Sequence, residues 1–259
     1  MNIKLTAFIL FLSSQIFQVQ AQEQKWISLF NGKTLEGWTP KIKGHKAGVN
    51  HKNTFVVKDG VLAVNYSEYD HFDNDFGHIF YKEKFSNYIL RMDYRIVGEQ
   101  LKGGPDWGYR NNGIMLHSQS PESMGVDQFF PRSIEVQFLS GDADAPAKTG
   151  NVCTPGTHII MEGELITEHC IDSNSKPFSG ENWVSVEVEV RNNHLIRHKI
   201  NGDIVLEYSG TQFDADDNET PAQGNATGTP LTEGYIALQA ESHPTEFRNI
   251  MLLNLDQQK

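Results

Sequence analysis

Short segments in which apolar and polar residues alternate run through most of this chain, and they constrain its fold more than any other feature. In residues 88–96 every second residue is apolar, and the alternation returns in residues 134–138, 184–190 and 236–241. A period of two is typical of a β-strand with one buried face and one solvated face. The helical period is nearly absent, so the sequence predicts an all-β protein.

Tight-turn sequences separate the strand-like segments. Lys58-Asp59-Gly60 and Asn201-Gly202-Asp203 are two examples, and such Asp-Gly and Asn-Gly pairs supply the positive φ angles that hairpins need. About a dozen short strands without crossover helices predict two packed antiparallel sheets, in a sandwich or jelly roll. No internal repeat or Pro/Gly linker divides residues 22–259, so we expect a single domain there.

Residues 1–21 have the pattern of a secretory signal peptide. One lysine precedes the apolar stretch 5–12, and Val19-Gln20-Ala21 places small residues at positions −3 and −1 of a cleavage site. A membrane anchor is the competing interpretation, but polar residues interrupt the stretch before the roughly 20 apolar residues that a spanning helix needs. We therefore predict an exported protein, periplasmic or extracellular, without stable membrane insertion.

The charge balance argues against one class of partner. The chain has 22 Lys and Arg against 33 Asp and Glu, which gives a formal net charge of −11. Affinity for nucleic acid rests mainly on clustered Lys and Arg side chains that neutralise phosphates. We therefore expect no nucleic-acid partner.

The two cysteines, Cys153 and Cys170, are the whole inventory of the chain. In an oxidising compartment an even number of cysteines at moderate separation is most simply one disulfide. A hairpin centred near Gly163 would place the two nearly opposite each other, within the reach that a disulfide requires. Two buried free thiols are one alternative. A zinc site with the nearby His158 and His169 is another, although no C-x-x-C pair supports it.

Polar side chains on the strands indicate where a site could lie. In residues 134–138 the apolar side chains should face the core, so Glu135 and Gln137 lie side by side on the opposite face. The same argument places Gln239 and Glu241 on the polar face of another strand. We expect this polar sheet face, together with the long loops beside it, to form a groove.

Four further residues are candidates for this groove. Asn111 and His117 lie at the two ends of one strand-like segment, and His198 is polar in another. Trp107 lies in a Gly/Pro-rich loop, from which it could stack on a sugar ring. The alternatives are that the carboxylates are solvated, that the histidines are structural, and that the tryptophan only holds its loop in place.

A divalent metal ion is a candidate cofactor. His117, Glu135 and His198 could converge on such an ion, which would polarise a carbonyl group. The alternative is a surface calcium ion held by acidic side chains of the loop 70–75. No compact ligand motif selects either one.

Six motifs occur in order along nearly the whole chain, from Trp26 to Leu253. Together they resemble the landmarks of the 3-keto-disaccharide hydrolase family, although each motif alone is weak. The chain departs from the family pattern at Asn112 and near Glu241. The motifs are residues 29–38, 111–115, 134–137, 182–183, 198–202 and 246–250.

The resemblance implies an exported concanavalin A-like jelly-roll sandwich of two antiparallel sheets that acts on carbohydrates. The substrates implied are glycosides already oxidised to a ketone at C3. Such a ketone acidifies the C2 proton, so a modest base can remove it, and elimination of the C1 oxygen follows. Addition of water would complete a net hydrolysis. This chemistry needs one positioned base and one electrophile for the enolate oxygen.

Groove position and family motif together select the site residues. Glu135 is the expected base or metal ligand, and His198 and Glu241 are the other catalytic candidates. The expected substrate-binding residues are Trp107, Asn111, His117, Gln137, Gln239 and Arg248.

Two other functions remain open. An ordinary sandwich-fold glucanase would need a second carboxylate where the chain has Gln137, so Glu241 or Glu246 would have to supply it. A carbohydrate-binding module without catalysis is the other, because sandwiches commonly bind sugars through exposed aromatic and amide groups.

Overall fold

The computed structural model describes residues 25–220 and 224–257, and its core lies between two antiparallel β-sheets. The predicted signal peptide lies outside the described residues. None of the helices in the described part of the chain is long and apolar enough to cross a membrane.

The described residues form seventeen strands and four short 3-10 helices. The helices are His51–Asn53, Asp106–Gly108, Pro121–Ser123 and Leu255–Gln257. The strands are, in chain order, β1 (Trp26–Ser28), β2 (Trp38–Ile42), β3 (Phe55–Lys58), β4 (Val61–Val64), β5 (Gly77–Phe85), β6 (Asn87–Ile96), β7 (Asn111–Ser118), β8 (Ile134–Leu139), β9 (Asn151–Cys153), β10 (Thr157–Met161), β11 (Glu164–Ile166), β12 (Cys170–Ile171), β13 (Val184–Arg191), β14 (Leu195–Ile200), β15 (Asp203–Phe213), β16 (Gly234–Ala240) and β17 (Thr245–Asn254).

The strands divide into two sheets. The first has the order β11-β10-β15-β14-β13-β6-β17-β4-β3, with β1 paired to β17, and the second has the order β12-β9-β8-β7-β16-β5-β2. The four segments with the clearest alternation became β6, β8, β13 and β16. The predicted all-β jelly-roll sandwich is therefore confirmed.

The two sheets pack through their apolar faces. Tyr94 on β6 stacks in parallel on Phe138 on β8, with ring centroids 4.0 Å apart, and so joins the first sheet to the second. Ile134 and Val136 join Phe138 in the same buried cluster. The inward parity predicted for this strand is therefore correct, and Glu135 and Gln137 face away from the core.

The outer face of the first sheet is covered by charged side chains in pairs. Arg91 donates to Glu187 at 2.5 Å and Arg95 contacts Glu246 at 2.6 Å across neighbouring strands. Such cross-strand pairs are typical of a solvated sheet face. The outer face of the second sheet differs, because part of it is covered by the loop after β7, where buried Lys41 donates to the carbonyl of Val126.

The disulfide predicted between Cys153 and Cys170 is present. The hairpin turns at Gly163, where β10 pairs with β11, while the two cysteines lie opposite each other on β9 and β12. These two pairs of strands belong to different sheets. The segment between the cysteines therefore passes from the second sheet to the first and back again. The disulfide covalently attaches its last strand, β12, to β9.

Candidate active site

A pocket of about 290 Å³ opens on the outer face of the second sheet. One side of it is polar and is formed by side chains from β7, β8 and the end of β16. The other lining residues are largely apolar and belong to loops and to the disulfide, whose Cys153 is the cross-strand neighbour of Glu135. The polar lining residues are Asn111, Glu135, Gln137 and Glu241.

The position of Glu135 depends on the glycine beside it. A Cβ atom at Gly113 on β7 would lie 2.5 Å from Oε1 of Glu135, so only a glycine lets the carboxyl lie over this strand. The next strand beyond β7 is β16, which leads to Glu241. Glu135 is 6% exposed, and its burial raises its pKa to about 8.

Glu241 follows β16 and is held by two contacts. Its Oε1 accepts a hydrogen bond of 2.9 Å from Nε2 of Gln239, and the next amide, that of Ser242, donates to Oη of Tyr66 at 2.8 Å. Ser242 has a φ of 84°, a left-handed conformation that bends the chain here. Oε2 of Glu241 has no hydrogen-bond partner among the described residues.

The two buried carboxyls interact electrostatically. Burial, and secondarily the charge of Glu135, raise the pKa of Glu241 well above its usual value. Two carboxyls that share a dry site cannot both ionise easily, so they retain a proton at pH values where exposed carboxyls have lost theirs. The pocket can thus offer one carboxylate base and one carboxylic acid donor.

Some side-chain amide oxygens around the two carboxyls have no hydrogen-bond partner in the described part of the chain. Nδ2 of Asn111 donates to the carbonyl of Trp107 at 3.1 Å, and Oε1 of Gln137 accepts from Asn151 at 3.1 Å. Neither Oδ1 of Asn111 nor Oε1 of Gln239 is hydrogen-bonded within the described ranges. Buried acceptors without partners are rare, and here they fit hydroxyl groups of a ligand.

The apolar wall combines aromatic rings with the disulfide. Trp107 is 55% exposed and stacks on Phe76 with centroids 5.6 Å apart, while Phe130 lines the pocket beside it. Cys153 and Cys170 also line the pocket, with Cys153 beside Glu135. An exposed indole above polar groups suits the apolar face of a sugar ring.

Five of the predicted residues line this pocket, namely Trp107, Asn111, Glu135, Gln137 and Glu241. Gln239 is fully buried and reaches the site through its bond to Glu241.

The structure does not bring His198 into the pocket. It lies on the inner face of β14 between buried Ile196 and Ile200, where Nδ1 contacts the carbonyl of Gly150 and Nε2 contacts Oη of Tyr208, both at 2.8 Å. Burial lowers its pKa to about 4. Strand parity explains the difference from the prediction, because the inward positions of β14 are 196, 198 and 200.

His117 and Arg248 also lie elsewhere. His117 has a φ of 48° that breaks the alternation of β7, and its Nε2 lies 3.1 Å from the carbonyl of Asn192. Arg248 is on the outer face of the first sheet, where it contacts Asp93 at 3.1 Å and stacks on Trp183. Neither side chain lines the pocket.

The predicted metal ligands are therefore not together. His198 lies between the sheets, Glu135 lies on the outer face of the second sheet, and His117 is outside the pocket. Within residues 25–220 and 224–257, no group of three or more His, Cys, Asp or Glu side chains could hold a metal ion. The described residues do not fit the predicted divalent ion, and no step is derived through one.

Sequence reasoning missed four other residues, three that line the pocket and one that lies beyond it on the same sheet face. Phe130, Pro155 and His169 line the pocket from loops, where no periodicity indicates direction. His78 lies on β5 among outward-facing residues. The alternation of His78 and Phe80 with Ile79 and Tyr81 was a usable signal, because the latter two belong to the core.

Comparison with known proteins gives these features a family context. Residues 25–253 match the 3-keto-alpha-glucoside-1,2-lyase-like domain family. A 3-keto-disaccharide hydrolase of Bacteroides thetaiotaomicron is 28% identical to this chain in an alignment that covers 92% of this chain and 81% of that protein.

Two solved structures from Parabacteroides distasonis, provisionally assigned as glycosyl hydrolases, share the fold. The first has a TM-score of 0.54 and 19% identity, and the match covers 89% of this chain and 94% of that chain. The second has a TM-score of 0.52 and 20% identity, with 89% and 100% covered.

Proposed function

The chain belongs to the 3-keto-alpha-glucoside-1,2-lyase-like family, and we propose that it is a carbohydrate-active enzyme that cleaves glycosides carrying a ketone at C3. The observation that carries this proposal is the pair of buried carboxyls, Glu135 and Glu241, in one pocket with raised pKa values. The name of the Bacteroides thetaiotaomicron relative supports a glycoside hydrolase acting on an oxidised disaccharide.

The proposed first step is removal of the C2 proton by ionised Glu135. The electron pair of the C–H bond forms a C2–C3 double bond, and the ketone oxygen becomes an enolate. A carboxylate whose pKa is raised to about 8 is a stronger base than an ordinary one. The ketone also makes the C2 proton more acidic, so less basicity is needed to remove it.

The proposed role of Glu241 is to stabilise the enolate oxygen. Its Oε1 is occupied by Gln239, so a proton on the unpartnered Oε2 can be donated to the substrate. A carboxylic acid kept neutral by burial can serve as such a donor, and a positioned donor in a dry site acts strongly on developing charge.

Cleavage follows when the enolate collapses. The ketone re-forms, a C1–C2 double bond forms, and the C1–O bond breaks. The proton taken up by Glu135 then passes to the departing oxygen, which restores the carboxylate. Addition of water across the new double bond gives net hydrolysis.

An ordinary glycosidase is the second candidate, because the pocket does contain two carboxyl groups. That mechanism needs one ionised carboxylate and one acid on either side of the glycosidic bond. It is less favoured because Gln137 occupies the position where such a sandwich glucanase would have its second carboxylate, and because the name of the Bacteroides thetaiotaomicron relative specifies a 3-keto-disaccharide.

Substrate preference tests the proposal. The purified protein should cleave a 3-keto-glucoside and leave the matching unoxidised glucoside intact. Cleavage of the unoxidised compound with equal or greater efficiency would favour the ordinary glycosidase. Binding of both without turnover would favour a carbohydrate-binding module.

We further propose that residues 1–21 direct export and that the remaining chain, residues 22–259, acts as one domain in the periplasm or outside the cell. The apolar stretch and the small residues before the cleavage site support the first part. The disulfide supports it independently, because disulfides persist in oxidising compartments.

A further inference from the structure

A row of buried polar side chains continues across the second sheet beyond the pocket. Gln239 on β16 lies directly opposite His78 on β5, and His78 lies opposite Lys41 on β2. The exposed fractions of the three residues are 0%, 0% and 1%. Burial of three polar side chains on the outward face of a sheet calls for an explanation.

Lys41 is accounted for by the fold. Its Nζ donates to the carbonyls of Ile42 at 3.1 Å and Val126 at 3.0 Å. The second of these contacts anchors the loop that follows β7 and covers this part of the sheet. The burial of Lys41 is therefore explained by its structural role in anchoring this loop.

His78 is not accounted for in this way. Neither of its ring nitrogens has a hydrogen-bond partner in the part of the chain that the structure describes. Burial, with the charge of Lys41 second, lowers the pKa of His78 to about 3. A neutral imidazole carries one donor and one acceptor, and leaving both unmet in the interior costs free energy.

The carbonyl oxygen of the Gln239 side chain is a second group in the same row that lacks a hydrogen-bond partner within the described part of the chain. Its Nε2 is committed to Glu241, while Oε1 has no partner among the described residues. His78 and Gln239 thus present one donor and two acceptors side by side. That set matches the hydroxyl groups of an uncharged polyol.

Phe130 lies between His78 and the pocket. Its ring lies nearly perpendicular to that of His78, with centroids 5.9 Å apart, and it also lines the pocket. It is carried by an exposed loop, in which the neighbouring Phe129 is 36% exposed and Val126 is 47% exposed. One half-buried side chain therefore lies between the pocket and His78.

The distances along the sheet suit a second sugar ring. The step from β8, which carries Glu135, to β5, which carries His78, crosses three strand spacings, or about 14 Å. The open pocket, at about 290 Å³, is at the low end for ligand sites and suits a single ring. A longer ligand needs additional space, and this row is the polar surface next to the pocket.

We propose that His78 and Gln239 form a second subsite, closed by Phe130 in this structure, which binds the hydroxyl groups of the leaving sugar ring. This inference rests on the proposed function, because it assigns the first pocket to the oxidised ring. Movement of Phe130 out of the way joins the two subsites. A disaccharide then pairs the unmet atoms of His78 and Gln239, whereas a glycoside with a small aglycone does not reach them.

The test compares two substrates in a His78→Phe variant. Wild-type protein and the variant are assayed with a 3-keto-disaccharide and with a methyl 3-keto-glucoside. We expect kcat/KM for the disaccharide to fall roughly tenfold or more in the variant, with the methyl glucoside nearly unaffected. The melting temperature should not fall, because the substitution removes an unsatisfied polar group.

Two further variants complete the design. His117→Phe makes the same change at a buried histidine outside the pocket and should leave the ratio of the two kcat/KM values unchanged. His78→Gln keeps a donor and an acceptor and should retain much of the disaccharide preference. If His78→Phe proves unstable, the ratio in His78→Gln compared with His78→Leu serves the same purpose.

The outcomes separate the inference from its premise. An unchanged ratio in His78→Phe, with wild-type protein active on both substrates, would overturn the second subsite alone. Inactivity of the wild-type protein on both substrates would overturn the proposed function.

Discussion

Cys153 on β9 lies directly opposite Glu135 on β8, so the disulfide to Cys170 is next to the proposed catalytic base. Both sulfur-bearing residues line the pocket. The covalent link that holds the short strand β12 in the sheet therefore also forms one wall of the site. Loss of the disulfide should therefore lower both the stability and the activity of the protein.

The first prediction concerns that disulfide. The bond joins residues 17 positions apart, and in the chain-entropy model a closed loop of this size stabilises the native state by about 3 kcal/mol. The Cys153→Ser/Cys170→Ser double variant should have a lower melting temperature and reduced kcat/KM. Calorimetry with and without a reductant tests this. A melting temperature that reduction leaves unchanged would contradict it.

The second prediction concerns Gly113. A methyl group at this position would lie 2.5 Å from Oε1 of Glu135, so Gly113→Ala should displace the base and lower kcat at least tenfold. Gly125→Ala is the matched control, because its nearest neighbour would be an ordinary 3.7 Å away. Equal activity of the two variants would show that the carboxyl does not depend on this glycine.

The parity of the sheet made much of this site predictable. Glu135 and Gln137 alternate with core residues, and the same period placed Glu241 on the pocket side of β16. At His198 parity gives the correct face, because Ile196 and Ile200 place the histidine inward, but the prediction followed its polar character instead. Parity failed at His117 because a positive φ there breaks the period.

The loops were beyond the reach of periodicity. Phe130 and Pro155 close the pocket, yet their directions are set by contacts with distant strands. The disulfide was predictable from the number and spacing of the cysteines, although the two pair on β9 and β12 and not within the hairpin that turns at Gly163. The location of that disulfide beside Glu135 was not, since it depends on the order of strands in the sheet.

The third prediction concerns the pH dependence of stability. The pKa of Glu135 is about 8 in the folded state, against roughly 4.3 in an unfolded chain, so folding favours the protonated form. Its contribution to stability is fully present below the unfolded pKa and is lost as the pH rises toward the folded value.

Glu135→Gln removes this titration. Between pH 5 and pH 8 the free energy of unfolding should fall less in the variant than in the wild type, by about 1 kcal/mol or more. Urea unfolding at the two pH values measures the difference. Parallel losses in both proteins would show that Glu135 is not held protonated by the fold.

The fourth prediction separates the two carboxyls by role. Glu241 is proposed to donate a hydrogen bond from Oε2, and a glutamine can also donate one. Glu241→Gln should therefore keep more activity than Glu241→Leu, which is expected to lose about a hundredfold or more in kcat. Equal loss in the two variants would indicate that Glu241 must ionise.

The most direct test of the central claim is exchange of the C2 hydrogen, followed by NMR in D₂O with a 3-keto-glucoside whose cleavage is slow. Wild-type protein should place deuterium at C2 of the substrate or release a product that has lost the original C2 hydrogen. Glu135→Gln should slow this exchange about 10²- to 10⁴-fold, the usual contribution of a positioned base. Cleavage by the wild-type protein with the C2 hydrogen retained throughout, or exchange that is equally fast in Glu135→Gln, would contradict the assignment of Glu135 as the base.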